Sequence, residues 1–116
     1  MGANIGIEHE IQLMLLDLGI PTTLLGFLYL TYAVQLSLTS FEYISRLSKL
    51  LYVEVAEKYQ TDPQSVERCI RHAIKVTFAA GLNDYAATLF DANGKTPTPA
   101  EFLSRMYFYL ITKKEA

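Results

Sequence analysis

Val53-Glu54-Val55-Ala56-Glu57-Lys58-Tyr59-Gln60, then Thr61-Asp62-Pro63-Gln64, then Ser65-Val66-Glu67-Arg68-Cys69-Ile70-Arg71-His72-Ala73-Ile74-Lys75-Val76 is the stretch that decides the reading of this chain. Both halves are apolar at helical spacing, and a short polar segment with a proline separates them. Val55 and Tyr59 are spaced to face a core, and Val66, Cys69, Ile70, Ala73 and Ile74 repeat along one face of the second half. Helices joined by a turn of about 3–4 residues make a helix-turn-helix. Ala56 is small where the second helix would pack over the first. At the turn, either Asp62 caps with Pro63 at the first helical position, or Thr61 and Gln64 form a capping box. Gln60 stands at the turn position where many such motifs carry glycine.

The outward face of the second helix carries the candidate chemistry. Gln64, Ser65, Arg68, Arg71, His72 and Lys75 lie roughly together, with Glu67 among them. Arg68, Arg71 and Lys75 outnumber Glu67 between residues 64 and 75, so a chain of net charge −2 carries a local basic stripe. The N-terminal part of such a helix enters the major groove of duplex DNA. Arginine pairs bidentately with guanine, glutamine with adenine, and glutamate accepts from cytosine. Arg71, His72 and Lys75 are suited to bases or phosphates alike. The competing reading is an amphipathic helix whose polar side is merely solvated.

Outward from this segment, helix signals recur and strand signals are weak. A first helix is expected over about Ile7 to Leu18, with Glu8 and Glu10 in its first turn, Gly19 as its stop and Pro21 beyond. A second covers about Thr23 to Leu38. No charged residue occurs from Leu18 to Phe41, a stretch long enough to cross a bilayer. Its glycines, proline and hydroxyl side chains, with the acidic flanks Asp17 and Glu42, instead favour a helix buried in a bundle, and no membrane association is expected. Thr39 and Glu42 suggest a capping box for a third helix over about Ser40 to Leu51. The fourth and fifth helices are those of the motif, from about Val53 to Gln60 and from the 61–64 turn to about Ala80. A sixth covers about Asp84 to Phe90. Residues 91–97 read as a loop with Asn93-Gly94 as the turn. Thr98-Pro99-Ala100-Glu101 caps a last helix that runs to about Thr112 before a frayed tail. The expected fold is all-α: a compact bundle of about six to seven helices containing the helix-turn-helix, in a single domain spanning 1–116.

With 51% hydrophobic and 19% charged residues among its 116, the chain has material for a core. Its one cysteine, Cys69, excludes an intrachain disulfide, and no signal peptide is visible, so a reducing cytoplasm is expected. His9, His72 and Cys69 lack metal-ligand spacing. Cys69 and His72 lack an evident third catalytic member, and there is no phosphate-binding glycine loop. No metal, cofactor or enzymatic activity is expected. The last helix is rich in aromatics, Phe102, Tyr107, Phe108 and Tyr109, on more than one face. The surplus is expected either to support self-association as a homodimer or to pack under the 91–97 loop.

The segment Val66 to Val76 resembles the C-terminal effector domain of the stage 0 sporulation protein A family, response regulators that start endospore formation. That family typically shows Val-Glu-Arg-Ala-Ile-Arg-His-Ala-Ile-Glu-Val at this place. Leu18-Gly19-Ile20-Pro21 with Gly26-Phe27-Leu28-Tyr29-Leu30 is similar to its Gly-Val-Pro and Gly-Tyr-Leu-Tyr-Leu. Leu51 to Tyr59 is similar to its Leu-Tyr-Pro-Asp-Ile-Ala-Lys-Lys-Phe, and Lys95 to Phe102 to its Lys-Pro-Thr-Asn-Ser-Glu-Phe. The resemblance runs in order from about Ile11 to the end. It implies an all-helical fold and sequence-specific transcription regulation through double-stranded DNA, often by tandem or dimeric copies. Gln64, Ser65, Glu67, Arg68, Arg71, His72 and Lys75 are the residues expected at the DNA. Some positions depart from the pattern. Ser65 stands where the family usually has arginine, Lys75 where it has glutamate, and Val53 where it has proline. The 91–97 loop is shorter, and the receiver domain of the full-length regulators is absent, as expected of an excised domain or a stand-alone paralogue. The alternative function is a helical protein-interaction module that has lost or altered DNA binding.

Overall fold

The computed structural model describes residues 2–90 and 95–115. The described elements are α1 (Gly2–Leu18), α2 (Leu25–Thr39), α3 (Glu42–Ser45), a π-helical turn (Leu47–Leu51), α4 (Tyr52–Tyr59), α5 (Pro63–Ala79), α6 (Asp84–Leu89) and α7 (Pro99–Glu115). There is no strand among the described residues. The all-α bundle read from the sequence is therefore the observed architecture.

The uncharged stretch becomes α2, the central helix, which packs against α1, α3, α4, α5 and α7. Tyr29, Leu30, Ala33 and Val34 are buried in the core. The hydroxyls that argued against a membrane span are satisfied inside the helix. Thr31 Oγ1 donates to the Phe27 carbonyl at 2.9 Å and Ser37 Oγ to the Ala33 carbonyl at 2.8 Å. Burial of these polar groups therefore leaves no donor without a partner. No helix among the described residues is long and apolar enough to cross a membrane.

Local caps fix several boundaries. Gly19 (φ +93°) and Gly81 (φ +94°) adopt the left-handed conformation just beyond α1 and α5, where a side chain would be strained. Thr98 and Glu101 form the expected reciprocal box: Thr98 N donates to Glu101 Oε1 at 2.8 Å and Glu101 N to Thr98 Oγ1 at 3.2 Å. α6 is capped by Asn83, whose Oδ1 accepts from Ala86 N at 2.7 Å. The Asn83 amide also donates to the Asp17 carbonyl at 2.8 Å, tying α6 to the end of α1.

Other expectations need correction. α1 begins at Gly2, so Glu8 and Glu10 do not lie in its first turn. No proline interrupts residues 2–7, and each added residue gains a backbone hydrogen bond once a helix exists. The single helix expected over 40–51 is broken at Arg46 (φ −131°, ψ 56°) into α3 and the π-helical turn. The break lets α3 lie on α7 while the following turn packs on α4. Thr39 does not cap it: its hydroxyl donates back to the Leu36 carbonyl, and Ser40 Oγ accepts from Glu42 N instead. α7 continues through Glu115, three residues past the expected Thr112. The Asn93-Gly94 turn lies outside the described residues.

The aromatic surplus divides between core and surface. Phe102, Leu103, Met106 and Leu110 are buried. Phe90 stacks on Phe102 with centroids 5.2 Å apart, and Phe78 meets Phe90 edge-on at 5.2 Å. On another side of α7, Tyr107 and Phe108 gather with Phe41, and Phe108 remains half exposed.

Candidate nucleic-acid interface

The helix-turn-helix is α4 and α5. Val55 and Ala56 of α4 are buried, as are Val66, Ile70, Ala73 and Ile74 of α5, while Cys69 is half-buried against the core. The turn closes at Gln60, in the left-handed conformation (φ 55°, ψ 50°) that the sequence position suggested for glycine. Thr61 N then donates to the Ala56 carbonyl at 3.0 Å, the long-range bond that ends many helices after a left-handed residue. Of the alternatives for starting α5, the structure takes the Asp62 cap, with Pro63 in the first turn and Asp62 Oδ1 accepting from Ser65 N at 2.8 Å.

α2 supports α5 from behind by close backbone approach. A Cβ on Gly26 would lie 2.5 Å from the Cys69 carbonyl oxygen and 2.6 Å from Ala73 Cβ. Only glycine fits where these helices touch, so the position of α5 is set by contact with the core helix.

With its apolar side buried, α5 turns its polar side to solvent. Gln64, Arg68, Arg71 and Lys75 are exposed and project along one narrow stripe at helical spacing. His72, exposed, and Ser65, half-buried, flank the stripe on one side. Glu67, also half-buried, flanks it on the other. All the residues singled out from the sequence thus lie on a continuous outer surface of one helix.

The stripe is internally bonded. Ser65 Oγ donates to Asp62 Oδ2 at 3.0 Å, and Arg68 Nη2 donates to Ser65 Oγ at 3.3 Å. The Ser65 backbone and hydroxyl donors, with the Arg68 charge, hold the Asp62 carboxyl below its ordinary range. Arg71 Nε donates to Glu67 Oε2 at 2.7 Å, and Arg71 Nη2 is ion-paired with the same carboxylate. This is the favourable acid-before-base order at a spacing of four. Beneath them Tyr52 of α4 is buried. Burial first, then the nearby Glu67 charge, pushes its hydroxyl up to about 12, with Arg71 opposing.

Some participants were not legible as site residues. The sequence marks Asp62 only as a candidate cap, yet it also accepts from the Ser65 hydroxyl, which in turn accepts from Arg68. A groove beside α5 brings Thr23 and Leu25 of the α2 entry alongside Arg68 and His72. Leu25 is 57% exposed there. Separation along the chain hides this neighbour, and within its apolar run nothing in the sequence marks Leu25 as exposed. Among the described residues no cluster of His, Cys, Asp or Glu suited to a metal is found.

The arrangement offers a row of cations and one amide, that of Gln64, on a helix packed against the core, with the helix N-terminus at one end. Compared with known families, the chain matches the family model described as sporulation initiation factor Spo0A C terminal, over residues 11–110.

Proposed function

The chain belongs to the family of the Spo0A C-terminal domain, a family of DNA-binding effector domains of transcription regulators, and from that premise we propose that it binds duplex DNA sequence-specifically, with α5 in the major groove. The observation that carries this reading is the exposed stripe of Gln64, Arg68, Arg71 and Lys75 on a helix whose opposite face is locked into the core. A recognition element must be both rigid and outward-facing, and α5 is both. Arg68 and Gln64, near the N-terminus, are assigned to base edges. Lys75 and His72, further along, are assigned to phosphates, with Ser65 and Glu67 beside the arginines they bond.

The net charge of −2 is compatible with this assignment because the acidic residues beside the stripe are engaged. Glu67 is paired with Arg71, and Asp62 is occupied by Ser65. Arg68, Arg71 and Lys75 still outnumber Asp62 and Glu67, so the local field at the stripe remains positive, with Lys75 outside the side-chain bonds that hold the two arginines. The test is binding of the chain to duplexes selected from a randomised pool. Enrichment of one sequence motif, lost on Arg68→Ala, is expected. No enrichment, with no binding at low salt, would transfer the domain to the alternative role of a protein-interaction module.

A further inference from the structure

We propose that Ser65 is a specificity-determining positioning residue: its hydroxyl, oriented by Asp62, holds the Arg68 guanidinium at the N-terminal turn of α5. The inference rests on the DNA-binding reading and adds to it the residue that aims one of its side chains. It also gives a role to a position where the resemblance led to an expectation of arginine and the chain has serine.

The geometry is directional. The Asp62 carboxylate has no proton to give, so both of its contacts with Ser65 are acceptances. Oδ1 takes the backbone N–H at 2.8 Å and Oδ2 takes the hydroxyl at 3.0 Å. The hydroxyl proton is therefore committed to Asp62, and the Ser65 oxygen presents its lone pairs to Arg68 Nη2, 3.3 Å away. The chain of donors runs one way, from guanidinium to hydroxyl to carboxylate, and the charges at its ends favour that direction. A free arginine side chain loses rotamer freedom when it is fixed on a base. Here part of that loss is already taken in the unbound protein. One N–H of the guanidinium is used in this way, which leaves its other donors for a base edge. The backbone bond from Ser65 to Asp62 caps α5 by itself. Removing the hydroxyl therefore separates positioning from helix stability.

The test compares wild type with Ser65→Ala and Ser65→Thr, measuring affinity for the selected duplex and for a scrambled one. In parallel, the Asp62 carboxyl is titrated by NMR without DNA. In S65A the ratio of selected to scrambled affinity is expected to fall about tenfold, a part of the discrimination that one bidentate arginine supplies. Thermal stability stays near wild type, and the Asp62 carboxyl titrates closer to its ordinary value. In S65T, which keeps a hydroxyl, the ratio recovers. Unchanged discrimination in S65A, or an equal loss on both duplexes, would overturn the positioning role. If wild type bound neither duplex, the DNA reading itself would fail. The titration then judges the hydrogen-bond chain alone, and an Asp62 carboxyl indifferent to S65A would overturn that as well.

Discussion

Replacing Gly26 by alanine should destabilise the domain, although the same change elsewhere in a helix stabilises. The added methyl would sit 2.5 Å from the Cys69 carbonyl oxygen and 2.6 Å from Ala73 Cβ, whereas ordinary contact begins at 3.4 Å. α5 must therefore move by about 1 Å, since neither a carbonyl nor a Cβ can rotate aside. Overpacking of this kind costs typically 1–3 kcal/mol, and rigid neighbours place it near ~3 kcal/mol. Alanine returns at most about 1 kcal/mol through helix propensity, since Gly26 lies in the first turn of α2. The net loss is about 2 kcal/mol, a fall in Tm of about 8 °C for a chain of this size. Gly6 is the matched control. It is helical and exposed, with nothing within 4 Å of the added Cβ, so Gly6→Ala should gain up to about 1 kcal/mol. Thermal melts followed by circular dichroism, with urea titrations for the free energies, measure both. A Gly26→Ala variant as stable as wild type would refute the close crossing of α2 and α5. Because α5 is the proposed reading helix, its displacement should also weaken binding to the selected duplex at temperatures where the variant remains folded.

Other consequences follow from single residues. Gln60 holds a left-handed conformation, so Gln60→Gly should stabilise by about 0.5–1 kcal/mol, the strain relieved less the entropy glycine adds to the unfolded chain; a lower denaturation midpoint would argue against the turn described. Asp62→Ala should lower Tm at neutral pH. Its carboxyl is depressed in the folded state, so its contribution is present above the unfolded value of about 3.8 and is lost as pH falls through the lower folded one. The deficit of the variant should then vanish in acid, and a deficit constant down to pH 2 would contradict the assignment. Tyr52 and Tyr85 are both pushed up to about 12, first by burial. Stability from their neutral forms is full below 10 and is lost as pH rises through about 12, so tyrosinate absorbance should show a fraction of the eight tyrosines titrating late, together with unfolding. Full titration of all of them near 10 in the folded protein would contradict the burial of Tyr52 and the partial burial of Tyr85.

The parts of the fold that were legible in the sequence are those written locally. Asp62-Pro63 and Thr98-Pro99-Ala100-Glu101 announce helix starts because their bonds reach only three residues along the chain, and the structure forms them. The apolar repeat Val66, Ile70, Ala73, Ile74 fixes which side of α5 is buried, and so which side is exposed. The break at Arg46 was hidden because nothing in the local pattern opposes a continuous helix. Packing on α7 and α4 imposes it, with Leu50 N and Leu51 N both converging on the Arg46 carbonyl at 2.9 and 3.4 Å. The same holds at the candidate site. Periodicity places Ser65, Glu67, Arg68 and Arg71 on one surface, but their pairing depends on rotamers that spacing alone does not choose. The neighbouring Thr23 and Leu25 are distant in sequence and come alongside only through the crossing at Gly26.

A salt series decides whether the α5 stripe binds duplex DNA. Affinity for a selected duplex and a scrambled one would be measured across that series for wild type and for Lys75→Ala. Log affinity should fall linearly with log salt, and the selected duplex should bind more tightly throughout. Removing one phosphate contact at Lys75 should weaken both duplexes alike and reduce the slope by about one. Binding that ignores salt and sequence, or a slope untouched by Lys75→Ala, would contradict the assignment of this face to DNA.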